Sequence, residues 1–270
     1  LIRTALLSLR TQTQKPDELI LTDDGAEEDI ISSIKDIVKG LDFPVKFITQ
    51  KNKGFRLAKA RNNGVRNSKG DLIIFLDQDL IHTKNLIDTF NKSYKKNRFI
   101  TGVPIWLNEE KSSIITEERI IKNDFLELIS DSEKGYIDKH YYKNKINYYM
   151  HKLKLTNKPP LRGGFCAINR KDFLSINGYD EKYIGWGAED DDVGHRLYRL
   201  GIDGMNPFRK EYAIHLYHEK VIIQNKGLKK QANYAYHISK KTKILKGEFR
   251  AEFGLDNPYD GDTVSVVELN

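Results

Sequence analysis

The 270-residue sequence predicts an α/β fold: a mostly parallel central sheet flanked by helices, with a helical insertion and a C-terminal helix. Three observations predict it. Short apolar runs alternate with stretches of helical spacing as far as Leu76, and strands alternating with helices build parallel βαβ units. The run Leu72-Ile73-Ile74-Phe75-Leu76 is apolar on both faces, as a strand buried in a parallel sheet is. It ends in Asp77-Gln78-Asp79, and open α/β sheets bind ligands at the carboxyl ends of their strands.

Taken in order, residues 1–13 have helical spacing and residues 18–22 form a short strand that ends in Asp23-Asp24-Gly25. A helix over 30–38, a strand over 45–49, a helix over 56–67 and the strand 71–76 follow. From Trp106 to about Lys158 the pattern changes to a helical excursion, dense in Tyr and Lys from Tyr136 onward and stopped by Pro159-Pro160. Such an aromatic-rich segment either binds an acceptor or packs on the sheet. The chain returns through the glycine-led strand 162–168, then Gly185-Trp186-Gly187 and four acids, then a helix over 193–200 ended by Gly201. A strand-like run, Tyr212 to His215, precedes His218. The tail holds a basic helix, Gly227 to Lys246, and a polar end expected to be mobile from Asn257 onward.

Composition narrows the class. A net charge of +7 permits anionic partners without demanding them, and dispersed lysines with no binding motif argue against nucleic acid. No apolar run is long enough to span a bilayer. The single cysteine, Cys166, excludes an internal disulfide, fits a reducing compartment and reads as a small buried hydrophobe.

Four constellations carry chemistry. Asp23-Asp24 ends a strand, where a carboxylate serves a turn or accepts the imide N–H of a uracil. Asn52-Lys53-Gly54, with Arg61 and Asn62 on the next helix, brings basic and amide groups toward the same edge. Asp77 and Asp79 offer hard oxygen ligands for Mg²⁺ or Mn²⁺. Glu189-Asp190-Asp191-Asp192 exceeds what compensation of a helix dipole needs, and packed like charges raise at least one pKa, as a general base requires. Beside them, Trp186 offers a flat face to a sugar and its flanking glycines allow close approach. His215-x-x-His218 completes a metal site only if the chain turns between them, because residues three apart on a strand face opposite sides.

Asp23-Asp24-Gly25, Asn52-Lys53-Gly54, Ala60-Arg61-Asn62 and Leu76-Asp77-Gln78-Asp79 resemble the nucleotide-sugar half of family-two GT-A glycosyltransferases. Arg162-Gly163-Gly164 and Gly185 to Asp192 resemble the carboxyl-terminal region shared by β-1,4-galactosyltransferases and bacterial chondroitin-type polymerases. The resemblance covers roughly residues 1–220 and implies a GT-A, Rossmann-like architecture. It implies Asp190 as the base, Glu189, Asp191 and Trp186 as acceptor contacts, and Asp79, His218 and His215 as ligands to Mn²⁺ or Mg²⁺. On the donor it implies Asp23, Asp24, Asn52, Lys53, Gly54, Arg61, Asp77, Gly163 and Gly164. Such enzymes open with an apolar strand and a Pro-x-Tyr-Asn-like turn. This chain starts at the helix after it, so the first strand is expected to be missing.

The expected organisation is a nucleotide-sugar half over 1–105, the helical excursion over 106–160, an acceptor and catalytic half over 161–222, and a basic helical tail over 223–270. The expected function is inverting, metal-dependent transfer of a Gal, GalNAc or GlcNAc-type sugar from a UDP-sugar to a saccharide, glycoprotein or lipid-linked glycan. A nucleotidyltransferase on a similar sheet and a non-catalytic carbohydrate-binding domain are the alternatives. The expected location is cytoplasmic; the basic helix is expected to pack on the catalytic domain with solvated lysines, the alternative being that it rests on anionic lipid at the inner face of a membrane.

Overall fold

The structure, a computed structural model, describes residues 1–219 and 228–270, with the backbone alone over 228–232. Gly227 and the side chains of Lys229 and Lys230 therefore lie outside the described residues.

The chain opens with α1 (Ile2–Arg10), β1 (Leu19–Asp23), α2 (Ile30–Val38), β2 (Val45–Gln50), α3 (Leu57–Arg66) and β3 (Leu72–Leu76). Each lies where the hydrophobic periodicity put it, to within a few residues. The Asp29 carboxylate caps α2 by accepting the Ser32 N–H at 3.0 Å. On α1, Leu6, Leu7 and Leu9 bury against Ile34, Ile37 and Val38 of α2.

Three elements follow that periodicity did not single out: β4 (Leu80–His82), α4 (Leu86–Ser93) and β5 (Arg98–Thr101). The excursion begins at β6 (Ile105–Trp106) and runs through α5 (Glu109–Ser113), α6 (Glu117–Lys122) and a 3-10 turn to α7 (Asp131–Lys152). A reciprocal capping box starts α7: Ser130 Oγ accepts the Glu133 N–H at 3.3 Å, and Glu133 accepts the Ser130 N–H at 2.7 Å. Of the 22 residues of α7 only Ile137 and Asn144 are buried, so most of its tyrosines face solvent.

The chain then forms β7 (Phe165–Asn169), α8 (Arg170–Ser175), α9 (Glu189–Arg199), β8 (Asp203–Met205), β9 (Ala213–His215), α10 (Leu228–Leu245) and β10 (Val264–Glu268). Helix α9 starts four residues before the apolar pattern suggested, so all four acids occupy its first turn.

The α/β class holds, but the sheet is not mostly parallel. Three sheets form, in the orders β1-β2-β10, β3-β7-β5-β8 and β4-β9-β6. Among the described residues three ladders are parallel (β1/β2, β5/β8, β6/β9) and four antiparallel (β10/β2, β3/β7, β4/β9, β5/β7). Of the apolar run of β3 only Phe75 is buried and the rest is half-buried, so the run overstated the burial and carried no information on direction. The long excursion before β7 lets it return antiparallel to β3. No ladder joins β1 to β3; Glu18 ties their approaches together by accepting the Lys69 and Gly70 N–H groups.

The end of the tail is also corrected. Residues after Asn257 are not a free end. Strand β10 pairs along β2, and the Asn270 amide oxygen accepts the Val45 N–H at 2.8 Å. Helix α10 packs on α9, with the Tyr236 hydroxyl donating to Asp180 at 2.8 Å and Lys240 pairing with the same carboxylate at 3.0 Å. No helix of the described residues is long and apolar enough to cross a membrane.

Candidate active site

Strand β3 delivers Asp77 to a tight turn, in which the Leu80 N–H donates to the Asp77 carbonyl at 3.2 Å. Strand β4 then starts antiparallel to β9 with Leu80 opposite His215, and the Leu216 N–H donates to the Asp79 carbonyl at 2.9 Å. That register sets Asp79 Oδ2 3.1 Å from His215 Nε2. Because β9 ends at His215, the chain is free to turn, and His218 Nε2 reaches the same oxygen at 3.2 Å. The ligand atoms of the three residues lie within 4.8 Å of one another. Burial pushes the Asp79 carboxyl up, but the hydrogen bond and charge of His215, joined by His218, hold it below its ordinary value. Asp79 Oδ1 and His215 Nδ1 are buried without a hydrogen-bond partner. Trp106, paired with His215 across β6 and β9, stacks on its ring at 3.8 Å and 24°.

Beside this cluster stands a second. Arg61, inside α3 and only 7% exposed, donates to Asp190 Oδ1 at 2.9 Å and to Asp77 Oδ1 at 3.2 Å. Tyr179 donates to the same Asp190 oxygen at 3.3 Å, and the Gly163 N–H donates to Asp190 Oδ2 at 2.9 Å. A Cβ at Gly163 would fall inside the Asp190 carboxylate and one at Gly164 inside that of Asp77, so glycine here is what lets both carboxylates lie against the backbone. Asp77, 47% exposed at the side chain, is raised by desolvation and by Asp79 and Asp190, against the pull of Arg61. Asn62 holds Tyr179 in place through both Tyr179 backbone groups, each at 2.9 Å.

The four acids of α9 separate. Glu189 is buried, its Oε2 has no partner, and desolvation followed by repulsion from Asp190 raises its pKa to about 7. The raised carboxyl is thus Glu189, while Asp190 is locked by donors. Asp191 is exposed. Asp192 is fully buried in a 2.7 Å ion pair with Arg196, whose guanidinium also donates to the Ile176 and Gly178 carbonyls; its role is structural. Before them, Ala188 has a left-handed φ of 75° and Trp186 is 59% exposed. The Gly185 N–H ties this loop to the Phe55 carbonyl at 2.7 Å.

The third group lies along β1, β2 and the start of α3. Asp23 closes a turn, accepting the Gly25 N–H at 3.0 Å and the Thr49 hydroxyl at 2.6 Å. Asp24 accepts from the Gln50 amide and the Arg56 N–H. Asn52 accepts the Gly54 N–H at 3.1 Å, and Lys53 pairs with Asp262 at 2.7 Å. Buried Arg56 and Lys59 both pair with Asp260. Sequence reasoning found the nearer members of this group but missed Asp260 and Asp262, which approach only because β10 folds back. It also missed Trp106 as a neighbour of the histidines. Cys166 is buried as expected, its thiol pushed up by desolvation.

The family described as Glycosyl transferase family 2 matches residues 1–176, well over half of the chain. The chain belongs to glycosyltransferase family 2. A second family, described as the N-terminal domain of galactosyltransferase, matches residues 145–219 and so spans Gly163, the α9 acids and both histidines. The chondroitin synthase of Escherichia coli is 26% identical over 199 residues, covering 68% of this chain and 28% of that protein. The uncharacterized glycosyltransferase YfnE of Bacillus subtilis (strain 168) is 25% identical over 296 residues, covering 97% of this chain and 72% of that protein. The chain thus spans about a quarter of the synthase and most of YfnE. The solved structure of GalNAc-T7 with UDP, GalNAc and Mn²⁺ superposes with a TM-score of 0.54 at 16% identity, over 86% of this chain and 44% of that one. That likeness gives the fold, GT-A. The protein is a glycosyltransferase, which sets aside the nucleotidyltransferase and the non-catalytic readings.

Proposed function

We propose that this glycosyltransferase is inverting and metal-dependent, moving a Gal, GalNAc or GlcNAc-type sugar from a UDP-sugar to a hydroxyl of a saccharide or glycoconjugate. The observation that carries the reading is the convergence of Asp79, His215 and His218 one turn along the chain from Asp77, which Arg61 bridges to Asp190. One carboxylate and two imidazoles suit Mn²⁺, and a buried carboxylate oxygen without a partner is costly unless a ligand completes it. Held there, the ion would offset charge building on the departing diphosphate.

The chain's own residues supply the rest. Gly163 and Gly164 let the Asp190 and Asp77 carboxylates lie against the backbone, and the diphosphate takes its place beside Asp77. Asp24, Asn52, Lys53 and Gly54 flank the uracil, with Asp23 shaping their turn. Trp186 offers its exposed face to the sugars, with Glu189 and Asp191 on the acceptor side. Asp190 takes the proton of the attacking hydroxyl, and its fixed donors aim it. No second carboxylate is needed as a nucleophile, so the anomeric centre inverts. Peripheral contact with a membrane bearing a lipid-linked acceptor falls to the exposed Tyr234, Ile238 and Leu245 of α10.

A second reading gives the proton to Glu189. Its pKa near 7 matches what a general base needs at neutral pH, and its Oε2 has no other partner. The experiment for both is UDP release from a panel of UDP-sugars with saccharide acceptors, in Mn²⁺, Mg²⁺ and EDTA, with NMR of the first product. Metal-independent release, or an α-linked product from an α-linked donor, overturns the proposal.

A further inference from the structure

Helix α7 turns an apolar stripe to solvent. At about 100° per residue, Tyr142, Ile146, Tyr149, Met150 and Leu153 fall within an arc about 100° wide and about 16 Å long. Each of the five is between 38% and 69% exposed, and Leu155, just past the helix, is exposed as well. Ile137 and Asn144, the buried residues of the helix, lie on the opposite side. The helix thus packs on the protein by one face and presents a second apolar face outward. Single exposed apolar side chains are ordinary, but a contiguous stripe marks a surface that meets something.

The surrounding charge selects the occupant. Residues 139–158 hold six lysines, all exposed, and no carboxylate. Lys143 borders the stripe on one side and Lys145 on the other. Two acids next to the segment are already engaged: Asp138 with Arg209 at 2.8 Å, and buried Asp203 with His151 at 2.7 Å. Complementing the C-terminal helix dipole accounts for Lys152 and Lys154, but not for Lys139, Lys143 or Lys145 in the body of the helix.

A second copy of the chain fits this face poorly. Protein interfaces are depleted in lysine, and a two-fold contact would set one lysine-bordered stripe against another. An anionic bilayer fits it well. Lysine stems run along the apolar surface while their ammonium groups reach the headgroups, aliphatic side chains enter the acyl boundary, and tyrosines sit at the interface.

We propose that α7 lies flat on an anionic lipid bilayer, with its stripe toward the acyl chains and its lysines against the lipid phosphates. The contact needs neither the donor reading nor the α10 contact above. Lys152 and Lys154 do line the same groove as Leu245 of α10, so the two surfaces adjoin. At the other end of α7, Tyr136 lines a cavity with Trp106, which stacks on His215. A helix held on the bilayer therefore begins beside the reacting centre.

The test is flotation of the full chain with vesicles of phosphatidylglycerol and phosphatidylcholine, and with phosphatidylcholine alone, at low and high salt. Binding to the anionic vesicles is expected, fading with salt and at least tenfold weaker on phosphatidylcholine alone. Ile146→Glu with Leu153→Glu should lose at least tenfold in affinity, and Lys143→Gln with Lys145→Gln about fivefold per lysine. All four side chains are exposed, and the lysine pair carries the test if the first variant does not fold. UDP-sugar hydrolysis without acceptor or vesicles should be unchanged in both variants. No binding to anionic vesicles at low salt, wild-type affinity in both variants, or loss confined to Ile238→Glu on α10 overturns the proposal. So does a dimer in vesicle-free solution that Ile146→Glu with Leu153→Glu dissociates. Failure of wild-type UDP-sugar hydrolysis would strike the donor reading and leave this surface standing.

Discussion

Glu189→Gln separates the two candidate bases and tests the electrostatics of the site at once. Burial and Asp190 raise the Glu189 pKa from 4.5 to about 7. At about 1.4 kcal/mol per pKa unit, that difference amounts to about 3 kcal/mol between the folded and unfolded chains. The sign follows from proton counting. Between pH 4.5 and 7 the unfolded chain has released this proton and the folded chain still holds it, so stability falls as pH rises through that window. Glutamine does not titrate, and any cost of its unpaired amide is the same at every pH. Relative to wild type, the variant should therefore gain up to about 3 kcal/mol between pH 4.5 and pH 8, read by urea unfolding in metal-free buffer. A difference that does not change with pH would refute the burial argument. Kinetics on the same variant assign the proton: loss of turnover, with wild-type kcat/KM rising to a plateau above about pH 7, makes Glu189 the base, and retained turnover leaves Asp190.

Asp79→Ala should abolish metal-dependent UDP binding with the fold intact; calorimetry finding unchanged, EDTA-sensitive affinity would remove Asp79 from the metal site. Asp190→Asn should lower turnover by about two to four orders of magnitude with donor affinity little changed, measured by steady-state kinetics and UDP titration. Joint replacement of Asp260 and Asp262 by alanine strips partners from buried Arg56 and Lys59, and should destabilise the protein by about 3 kcal/mol in urea. Arg61→Lys keeps the charge but cannot fork between Asp77 and Asp190, so turnover should fall while Mn²⁺ affinity, which rests on Asp79 and the histidines, holds; a proportional loss of both would count against that division.

What the sequence disclosed follows from how local each feature is. The Asp77-x-Asp79 turn needs only a strand and its end, and it was legible. His215-x-x-His218 was legible as chemistry but not as geometry, because its convergence depends on where β9 stops. Trp106 gave no signal of its own: its partner His215 is set by the β6/β9 ladder, a pairing between distant parts of the chain. The mixed direction of the sheets escaped for the same reason. Strand β10 did leave a trace, the β-branched run Val264-Ser265-Val266-Val267, which the acidic, Pro- and Gly-containing stretch before it obscured. The polar residues along β1, β2 and the start of α3 were legible as a group, but not the competition of Asp260 and Asp262 for their cations.

The acidic run of α9 shows why composition alone misleads at such a site. Consecutive residues on a helix point about 100° apart, so four in a row sweep most of the way around the axis. They cannot share one environment, and here they do not. Asp192 turns into the core, where Arg196 neutralises it and where removal of either partner would leave a buried charge. Asp191 turns to water. Asp190 turns toward α3 and meets Arg61, Tyr179 and the bare backbone of Gly163. Glu189 is buried with no cation in its hydrogen-bonding shell, so it is the acid that holds a proton near neutral pH. A lysine in place of Arg61 would be a point charge beside one acid; the planar guanidinium reaches both Asp77 and Asp190, and so couples the turn that carries Asp79 to the start of α9. The fold takes Asp192 into an ion pair and turns Asp191 to water, and that leaves Asp190, aimed by its donors, and Glu189, buried without one, as the two residues worth separating by experiment.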